Sequence, residues 1–456
     1  MCEAASNWWI VLSGFLFASN LAWMFYMRKN KTAKKEAPPK STGLSKSIFE
    51  HPDIVSLNKD NPDHFREVQK NFFQKFDMAT VLFADIENFS KITDNLQPEA
   101  LLDELNNFFF YFDTVVERHH IEKIKTMGDA YMCAGGVPQK NHTNPIEVVF
   151  AALEVQHYLR RLREQNPNVW SVRMGIHTGE VIAGMLGHKK LSYDIWGHTV
   201  NMASRLESAS KPGEINISGE TYDQVKQFFN CEYHGFLSEE NTVTTYYVKG
   251  LKPEFIEKDS SEYLIPNHHF FIQLQIIRLP DILEYVKGRM TTEFSKNLYF
   301  HSFKHTYDVY KYVEQLGAAQ HISDEHMLLL KTAALFHDIG YTVSYDKARL
   351  MSDKIAREIL PFFQYSSQQI DVICDLMRAS HYEFAPNGIL EEIIHDANLI
   401  YFANKDFHAN MKNLFREQQK YKVKVSENEW MQVQMDKLNA HQFYIYSTEK
   451  IGLLPD

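Results

Sequence analysis

Histidine and aspartate residues in the C-terminal half of the chain have the spacing of a metal site. The set comprises His301 and His305 four residues apart, the adjacent pair His337 and Asp338, and the later His381 and Asp396. Adjacent side chains cannot share one helix face, but both can reach one ion where a helix ends. Imidazole together with carboxylate suits Zn²⁺, Mn²⁺, Fe²⁺ or Mg²⁺. A single helical histidine is usually structural, whereas this set predicts a divalent-metal site.

Two more acidic residues lie in the middle of the chain, each beside a strand-like segment. An apolar run over residues 78–84 ends in Asp85, which predicts a buried strand with a carboxylate at its tip. Asp129 follows Gly128 between two further strand-like pieces, which predicts a hairpin whose turn presents a second acid. Each also has an ordinary structural explanation, because Asp85 could cap the next helix and Asp129 could be a turn residue.

The predicted elements in residues 78–256 follow the order β-α-β-β-α-β. Apolar residues at helical spacing after Pro98 predict the first helix, and residues 146–164 predict the second. This order is that of the ferredoxin-like α+β fold. From residue 257 onward apolar residues recur at intervals of three and four, so residues 257–456 are predicted to form an all-α domain.

The overall composition narrows the classes of function. The 456 residues include 48 basic and 58 acidic side chains, and this net charge of −10 argues against nucleic acid as the main partner. The four cysteines are far apart and show no C-x-x-C spacing, so neither a disulfide framework nor a cysteine-zinc site is expected.

The first 35 residues predict one transmembrane anchor. Residues 8–27 carry no charge, are long enough to cross a bilayer as a helix, and are followed directly by five basic residues. By the positive-inside rule the catalytic domains would be cytoplasmic, in a single-pass membrane protein. A cleaved signal peptide and a buried core helix are the alternatives. Residues 36–77 are predicted to be a linker with room for a short helix within 49–76.

Four strings in the middle segment together resemble the catalytic domain of class III nucleotide cyclases. They are, in order, VLFADIENFS, KIKTMGDAYM, RMGIHTGEVIAGMLG and YDIWGHTVNMASRLE. The resemblance covers nearly all of residues 78–256. It implies a domain that closes the ribose 3′-hydroxyl of a nucleoside triphosphate onto its α-phosphorus.

The resemblance assigns roles to the acids and to a later helix. Asp85, Ile86 and Asp129 would hold two Mg²⁺ or Mn²⁺ ions per site, which ease deprotonation of the 3′-hydroxyl and neutralise the triphosphate. Asn201 would orient the ribose and Arg205 would stabilise the transition state, four residues apart on one helix face. Backbone amides would cradle phosphate oxygens; they belong to Ile86, Glu87, Asn88 and Phe89.

Base selection is assigned by the same resemblance to Lys125 and Asp194. Adenine offers a donor at N6 and an acceptor at N1, which an aspartate and a lysine can match. Guanine-selective relatives typically carry Glu and Cys at these two positions, so ATP is the expected substrate and cyclic AMP and pyrophosphate the products; guanylyl cyclase is the alternative. Many relatives also have a late phosphate-binding lysine. The stretch FLSEENTVTTYY has none, and Lys249 cannot be assigned that role, so weaker triphosphate binding is expected.

The resemblance also implies a dimer, because each site in the family is built across a dimer interface. The two metal-binding acids would come from one chain, and Lys125, Asp194, Asn201 and Arg205 from the other. This chain carries both sets, so a homodimer with two equivalent sites is expected, and a monomer would be inert.

Three strings in the C-terminal segment, FHSFKHTYDV, AALFHDIGY and HDANLIYF, resemble the HD superfamily of metal-dependent phosphohydrolases. The resemblance implies that His301 is a general acid, and that one divalent ion is ligated by His305, His337, Asp338 and Asp396. Residues 345–352 lack the further histidine of many relatives, so a second ion would need His381. Two functions stay open: hydrolysis of cyclic AMP or another phosphoester, and a non-catalytic metal or ligand sensor.

Overall fold

The computed structural model describes residues 73–89, 97–166, 169–186, 192–238, 241–258, 264–400, 407–421, 424–440 and 443–445. The predicted transmembrane segment 8–27, its basic flank and nearly all of the predicted linker lie outside these ranges. Within these ranges no helix combines the length and apolarity needed to cross a membrane.

An eight-stranded sheet forms the centre of the first half of the chain. Its strands pair in the order β2-β3-β1-β4-β6-β8-β7, with β5 paired to β4, and only the β4–β6 pairing is parallel. The strands are β1 Gln74–Ile86, β2 Glu122–Met127, β3 Ala130–Gly135, β4 Val172–Leu186, β5 Ser192–Trp196, β6 Ile215–Ser218, β7 Phe229–Ser238 and β8 Asn241–Leu251.

Helices α1 Pro98–Arg118 and α2 Asn144–Gln165 connect the first four strands. The predicted β-α-β-β-α-β order of the α+β domain is therefore confirmed. Two shorter helices follow, α3 His198–Ser208 and α4 Gly219–Val225. Strand β1 begins at Gln74, earlier than the predicted strand, because Phe76 is buried and pairs with Val181 beyond a bulge in the β1–β4 ladder. The last residues of the predicted linker and helix are thus strand.

The second half is helical, and the described residues from 264 onward contain no strand, as the spacing of apolar residues predicts. The α-helices among its described residues are α5 His268–Glu293, α6 Phe303–Ala319, α7 Asp324–Phe336, α8 Ala348–Ile359, α9 Ser367–Ala379, α10 Ile389–Leu399, α11 Phe407–Tyr421 and α12 Glu427–Ala440. Ser302 caps α6 by accepting a hydrogen bond from the His305 amide, which fixes His305 in the first turn.

The beginning of the helical half packs into the hydrophobic core of the sheet domain. Phe255 and Phe270, which lie after the sheet, pack in the same cluster as Phe150 and Phe228 of the sheet domain. The Phe150 and Phe270 rings lie 5.5 Å apart between centroids, in the range of favourable aromatic pairs. The first helix of the helical domain, α5, is therefore anchored in the sheet domain.

Polar contacts reinforce this junction. Arg278 of α5 lies 3.7 Å from Glu147 of α2, and both side chains are buried. Gln364, after α8, also donates to Glu147 at 3.3 Å. The His142 amide donates to Asp281 at 3.0 Å. Because breaking a buried ion pair leaves an uncompensated charge, these contacts fix how the two domains meet.

Candidate active sites

The first site is a pair of acids at one edge of the central strands. Asp85 lies at the end of β1, opposite Ala130 of β3 and Arg173 of β4. Asp129 lies in the two-residue turn between β2 and β3. Burial raises the pKa of Asp129, and the neighbouring Asp85 carboxylate raises it further. The structure thus brings the two predicted acids together, and their mutual repulsion favours a bound cation.

Arg173 is a site residue that the sequence reasoning missed. Its Nη2 atom lies 2.6 Å from Asp85 Oδ2 and 3.2 Å from Glu207 Oε1. The hydrogen bond to Asp85 raises the pKa of the Arg173 guanidinium. Arg173 therefore links β1, β4 and α3. Its single positive charge does not balance the three nearby carboxylates of Asp85, Asp129 and Glu207, so the site keeps a net negative charge.

Helix α3 presents two different faces. Glu207 is buried and faces Arg173, whereas Asn201 and Arg205 are exposed. Successive helical residues are rotated by about 100°, so Arg205 points roughly opposite to Glu207. The structure therefore places Asn201 and Arg205 together on the solvent-facing side of α3, away from the acids of the same chain.

The two predicted base-selecting residues meet in the structure. Lys125 of β2 donates to Asp194 of β5 with 2.6 Å between Nζ and Oδ2. The other Asp194 oxygen, Oδ1, accepts the Ile195 amide at 2.9 Å. Both side chains are partly exposed, at 40% for Lys125 and 19% for Asp194. The pair therefore presents an acceptor and a donor side by side at an accessible surface.

The predicted phosphate cradle is corrected in one respect. The Glu87 amide donates to the Ser171 carbonyl at 2.8 Å, so it is not available to a phosphate in this structure. Asn88 adopts a left-handed backbone conformation, with φ of 55°, and the Phe89 ring packs on Trp170. Lys249, which could not be assigned a phosphate-binding role from the sequence, lies 3.0 Å from Glu214 in an ion pair.

The second site is a cluster of possible metal ligands at the end of α7. His305, His337 and Asp338 each offer a ligand atom, and these atoms lie within 4.8 Å of one another. His337 Nδ1 donates to the Ala334 carbonyl at 2.8 Å, which leaves Nε2 as the atom facing the cluster. Burial lowers the pKa of His305 to about 3, so its imidazole is neutral, as ligation requires.

The chemistry of this cluster fits a divalent ion. Burial alone would raise the pKa of Asp338, but the neighbouring His337 and His301 hold it below its usual range, so the carboxylate is ionised. At this cluster, three of the buried polar atoms that lack a hydrogen-bond partner among the described residues lie together: His337 Nε2, Asp338 Oδ2 and Asn398 Oδ1. Orphaned ligand atoms of this kind are costly unless a cation or water satisfies them.

The prediction that Asp396 is the fourth ligand is corrected. Its two carboxylate oxygens accept the amides of Tyr444 (3.2 Å) and Ile445 (2.7 Å), and it is not part of the ligand cluster. Asn398 takes that place instead: its Nδ2 donates to the Ser380 carbonyl at 3.0 Å, while its side chain also faces the two histidines of the cluster. A neutral amide therefore lies beside the cluster, where the resemblance had implied a carboxylate.

His301, the predicted general acid, is held by a residue that the sequence reasoning missed. Glu417 of α11 is fully buried and bonds to the His301 ring at Nδ1. Its other oxygen accepts the amides of three consecutive residues, of which His301 is the last, at 2.9–3.1 Å. Tyr341 stacks on the ring with 4.0 Å between centroids. Glu417 therefore fixes the orientation of the His301 ring through Nδ1, and Nε2 is the ring nitrogen that does not contact Glu417.

A cavity of about 460 Å³ opens beside the cluster and is lined by His301, His305 and Asp338. Its wall also contains His381, whose pKa burial lowers to about 4, and Arg349, which pairs with Glu383 at 2.7 Å. His381 is not part of the three-residue ligand cluster. The cavity is large enough for a small organic phosphate and has a cationic side chain at its mouth.

Comparisons with known proteins give a family match in each half of the chain. Residues 72–252 match the family model of the adenylate and guanylate cyclase catalytic domain, and residues 302–403 match that of the HD domain. The chain therefore contains a class III cyclase catalytic domain followed by an HD domain. Enzymes with either domain depend on divalent metal ions.

The named relatives include both adenylate cyclases and guanylyl cyclases. An adenylate cyclase of Mycobacterium bovis is 33% identical over 42% of this chain and 44% of its own length. Human guanylyl cyclase C is 31% identical over 47% of this chain and 22% of its own length. The chain thus spans less than half of these relatives. The crystal structure of the adenylyl cyclase CyaB from P. aeruginosa covers 40% of this chain and 97% of its own, with 31% identity and a TM-score of 0.38.

Replacing Asn398 by aspartate is expected to tighten Mn²⁺ binding by about tenfold, because it adds an anionic oxygen at the cluster. Asp396→Asn should leave the affinity within about twofold, since Asp396 faces the backbone of residues 444 and 445. The Mn²⁺ affinity of both variants is measured by calorimetric titration of the full chain. Weakened binding in Asp396→Asn with no effect of Asn398→Asp would reverse the assignment.

Proposed function

We propose that the protein is an adenylyl cyclase that converts ATP to 3′,5′-cyclic AMP and pyrophosphate. The observation that carries this proposal is the Lys125–Asp194 pair, with 2.6 Å between its charged atoms at a partly exposed surface. Asp194 can accept from the N6 amino group of adenine, and Lys125 can donate to N1. Guanine presents the opposite pattern at these positions, so the same pair disfavours GTP.

In this proposal the acids of the first site bind the metal ions that the reaction requires. Asp85 and Asp129, with the Ile86 carbonyl, would hold Mg²⁺ or Mn²⁺. Ions bound there lower the pKa of the attacking 3′-hydroxyl and neutralise the charge that develops on the leaving pyrophosphate. Arg173 holds Asp85 in place through their ion pair. Asn201 then orients the ribose, and Arg205 contributes a permanent positive charge to the transition state.

A homodimer follows from the two faces of α3. Glu207 faces the acids of its own chain, while Asn201 and Arg205 face solvent on the other side of the helix. One chain therefore cannot direct both sets at the same nucleotide through α3. A second copy related by a two-fold axis would supply the missing set, and symmetry would generate two equivalent sites.

The proposal includes membrane attachment through residues 8–27, with both domains on the cytoplasmic side. Its support is the uncharged length of this segment and the basic residues that follow it. Confinement to a membrane would raise the local concentration of chains and so favour pairing.

A second activity is proposed for the HD domain: metal-dependent hydrolysis of a phosphoester, with cyclic AMP as the first candidate. The support is the orphaned ligand atoms at His337, Asp338 and Asn398 beside a cavity that also contains His301. When bound, the ion polarises the phosphoryl group and activates water. His301, oriented by Glu417, would protonate the leaving oxygen, and Arg349 would attract the phosphate.

The base-selection proposal predicts that Lys125→Glu combined with Asp194→Cys moves the preference from ATP toward GTP. The ratio of kcat/KM for ATP to that for GTP should fall by about a hundredfold or more. Adenine loses its hydrogen bonds at N6 and N1, and the introduced glutamate places an acceptor opposite the N1 acceptor. Lys123→Glu is the matched control, since Lys123 lies on the same strand but pairs with Asp113. An unchanged ratio in the double variant would remove the basis for ATP as the substrate.

Hydrolysis is tested in the full chain, because the beginning of the helical half packs into the core of the sheet domain. An Asp85→Ala background silences synthesis, and AMP formed from added cyclic AMP with Mn²⁺ is measured by chromatography. His337→Ala together with Asp338→Ala should lower this rate by about a thousandfold. Arg357→Ala, which removes only an exposed ion pair with Asp371 outside the cavity lining, serves as control. The sensor function would be favoured if no hydrolysis is detected and if metal changes the cyclase rate of the chain with Asp85 intact.

A further inference from the structure

One tyrosine hydroxyl in the HD cavity is not engaged by the protein itself. Tyr341 lies in a single helical turn, Ile339–Thr342, that begins directly after Asp338 of the ligand cluster. Its half-buried side chain lines the cavity that also contains His301 and Asp338. Among the described residues the Tyr341 hydroxyl has no hydrogen-bond partner. It is therefore available to a ligand that enters the cavity.

The backbone that carries Tyr341 is tightly packed and bonded. The Gly340 amide donates to Ser352 Oγ at 2.9 Å, and Ser352 Oγ donates to the His337 carbonyl at 2.9 Å. Residue 340 lies so close to α8 that a Cβ there would be 1.9 Å from the Ala348 carbonyl oxygen. These contacts fix the position of Tyr341 relative to the ligand cluster.

The ring of Tyr341 is held as well. It stacks on the His301 imidazole with 4.0 Å between centroids and packs against the Tyr345 ring at 5.3 Å. Burial raises the pKa of the Tyr341 hydroxyl, and among the charged groups the Asp338 carboxylate raises it most. The hydroxyl is thus protonated, close to the ligand cluster, and carried by a ring that touches the candidate general acid.

Hydrolysis of a phosphoester uses a donor of this kind. A phosphodiester carries its negative charge on two non-bridging oxygens, and an ion bound at the cluster can contact one of them. Arg349 of the cavity wall is paired with Glu383, and His301 is assigned to the leaving oxygen. A hydroxyl held beside the cluster can donate to the second non-bridging oxygen without reorganisation during the reaction.

We propose that Tyr341 is a further catalytic residue of the HD domain, whose hydroxyl donates a hydrogen bond to a non-bridging phosphoryl oxygen of the substrate. The catalytic part of this role rests on the proposed hydrolysis, whereas the contact with a phosphate group does not require turnover. The hydroxyl keeps its proton, so it adds no covalent step and no proton transfer to the reaction.

Phosphate binding tests the contact without turnover. The full chain loaded with Mn²⁺ is titrated with inorganic phosphate by calorimetry, as wild type and as Tyr341→Phe, which removes only the hydroxyl. The Kd for phosphate should rise about tenfold, while the Kd for Mn²⁺ stays within about twofold. Tyr421→Phe is the matched control, since Tyr421 stacks on Tyr345 at 3.9 Å but lies outside the cavity lining.

Three results of this titration would overturn the proposal. They are no phosphate binding by the wild-type chain, an unchanged phosphate affinity in Tyr341→Phe, and an equal loss of affinity in Tyr421→Phe.

Hydrolysis of cyclic AMP in the Asp85→Ala background tests the catalytic part. Tyr341→Phe should lower kcat by about a hundredfold, more than it raises KM, because the hydrogen bond strengthens as charge develops on the phosphoryl oxygens. A kcat no lower than that of Tyr421→Phe would overturn the catalytic role. If the parent chain forms no AMP while phosphate binding depends on the Tyr341 hydroxyl, hydrolysis of cyclic AMP fails and the phosphate contact stands.

Discussion

The cyclase site depends on a single arginine that holds two carboxylates from different elements. Arg173 bonds to Asp85 at the tip of β1 and to Glu207 on α3. Helix α3 can approach the sheet this closely only because residue 175 is glycine: a Cβ there would lie 2.0 Å from the Glu207 amide nitrogen. With Glu207 turned inward, the helical repeat turns Arg205 outward. The same contact therefore positions a metal-binding acid and sets which residues are offered to a second chain.

The strand and helix periodicity of the sequence predicted that Asp85 and Asp129 lie at strand ends. The family resemblance predicted which more distant residues act together. Lys125 and Asp194 are 69 residues apart and were expected to act together, and they form a direct hydrogen bond. Three members of the predicted HD ligand set lie together in the structure, and the fourth, Asp396, does not. The family resemblance implied Asp396 as the fourth ligand, whereas helix α10 places Asn398 beside the two histidines of the cluster. Glu417 was missed because its contact with His301 spans 116 residues and leaves no local pattern.

The junction between the domains is a packed core rather than a tether. Phe255 and Phe270 belong to the same cluster as residues of the cyclase sheet, and Arg278 pairs with Glu147 across the junction. At the start of α2, near this pair, Asn144 accepts a hydrogen bond from Thr80 of β1, the strand that carries Asp85, at 2.6 Å. The contacts at the junction therefore reach strand β1 at Thr80, five residues before Asp85 on the same strand.

The most direct test of the account is complementation between two inactive chains. Asp85→Ala and Arg205→Ala chains, each expressed alone, should form cyclic AMP from ATP at about one per cent of the wild-type rate or less. Co-expressed in equal amounts, half of the dimers carry one intact site, so roughly a quarter of the wild-type rate should return. A co-expressed mixture as inactive as its components, or substantial activity in either variant alone, would contradict a site shared between two chains.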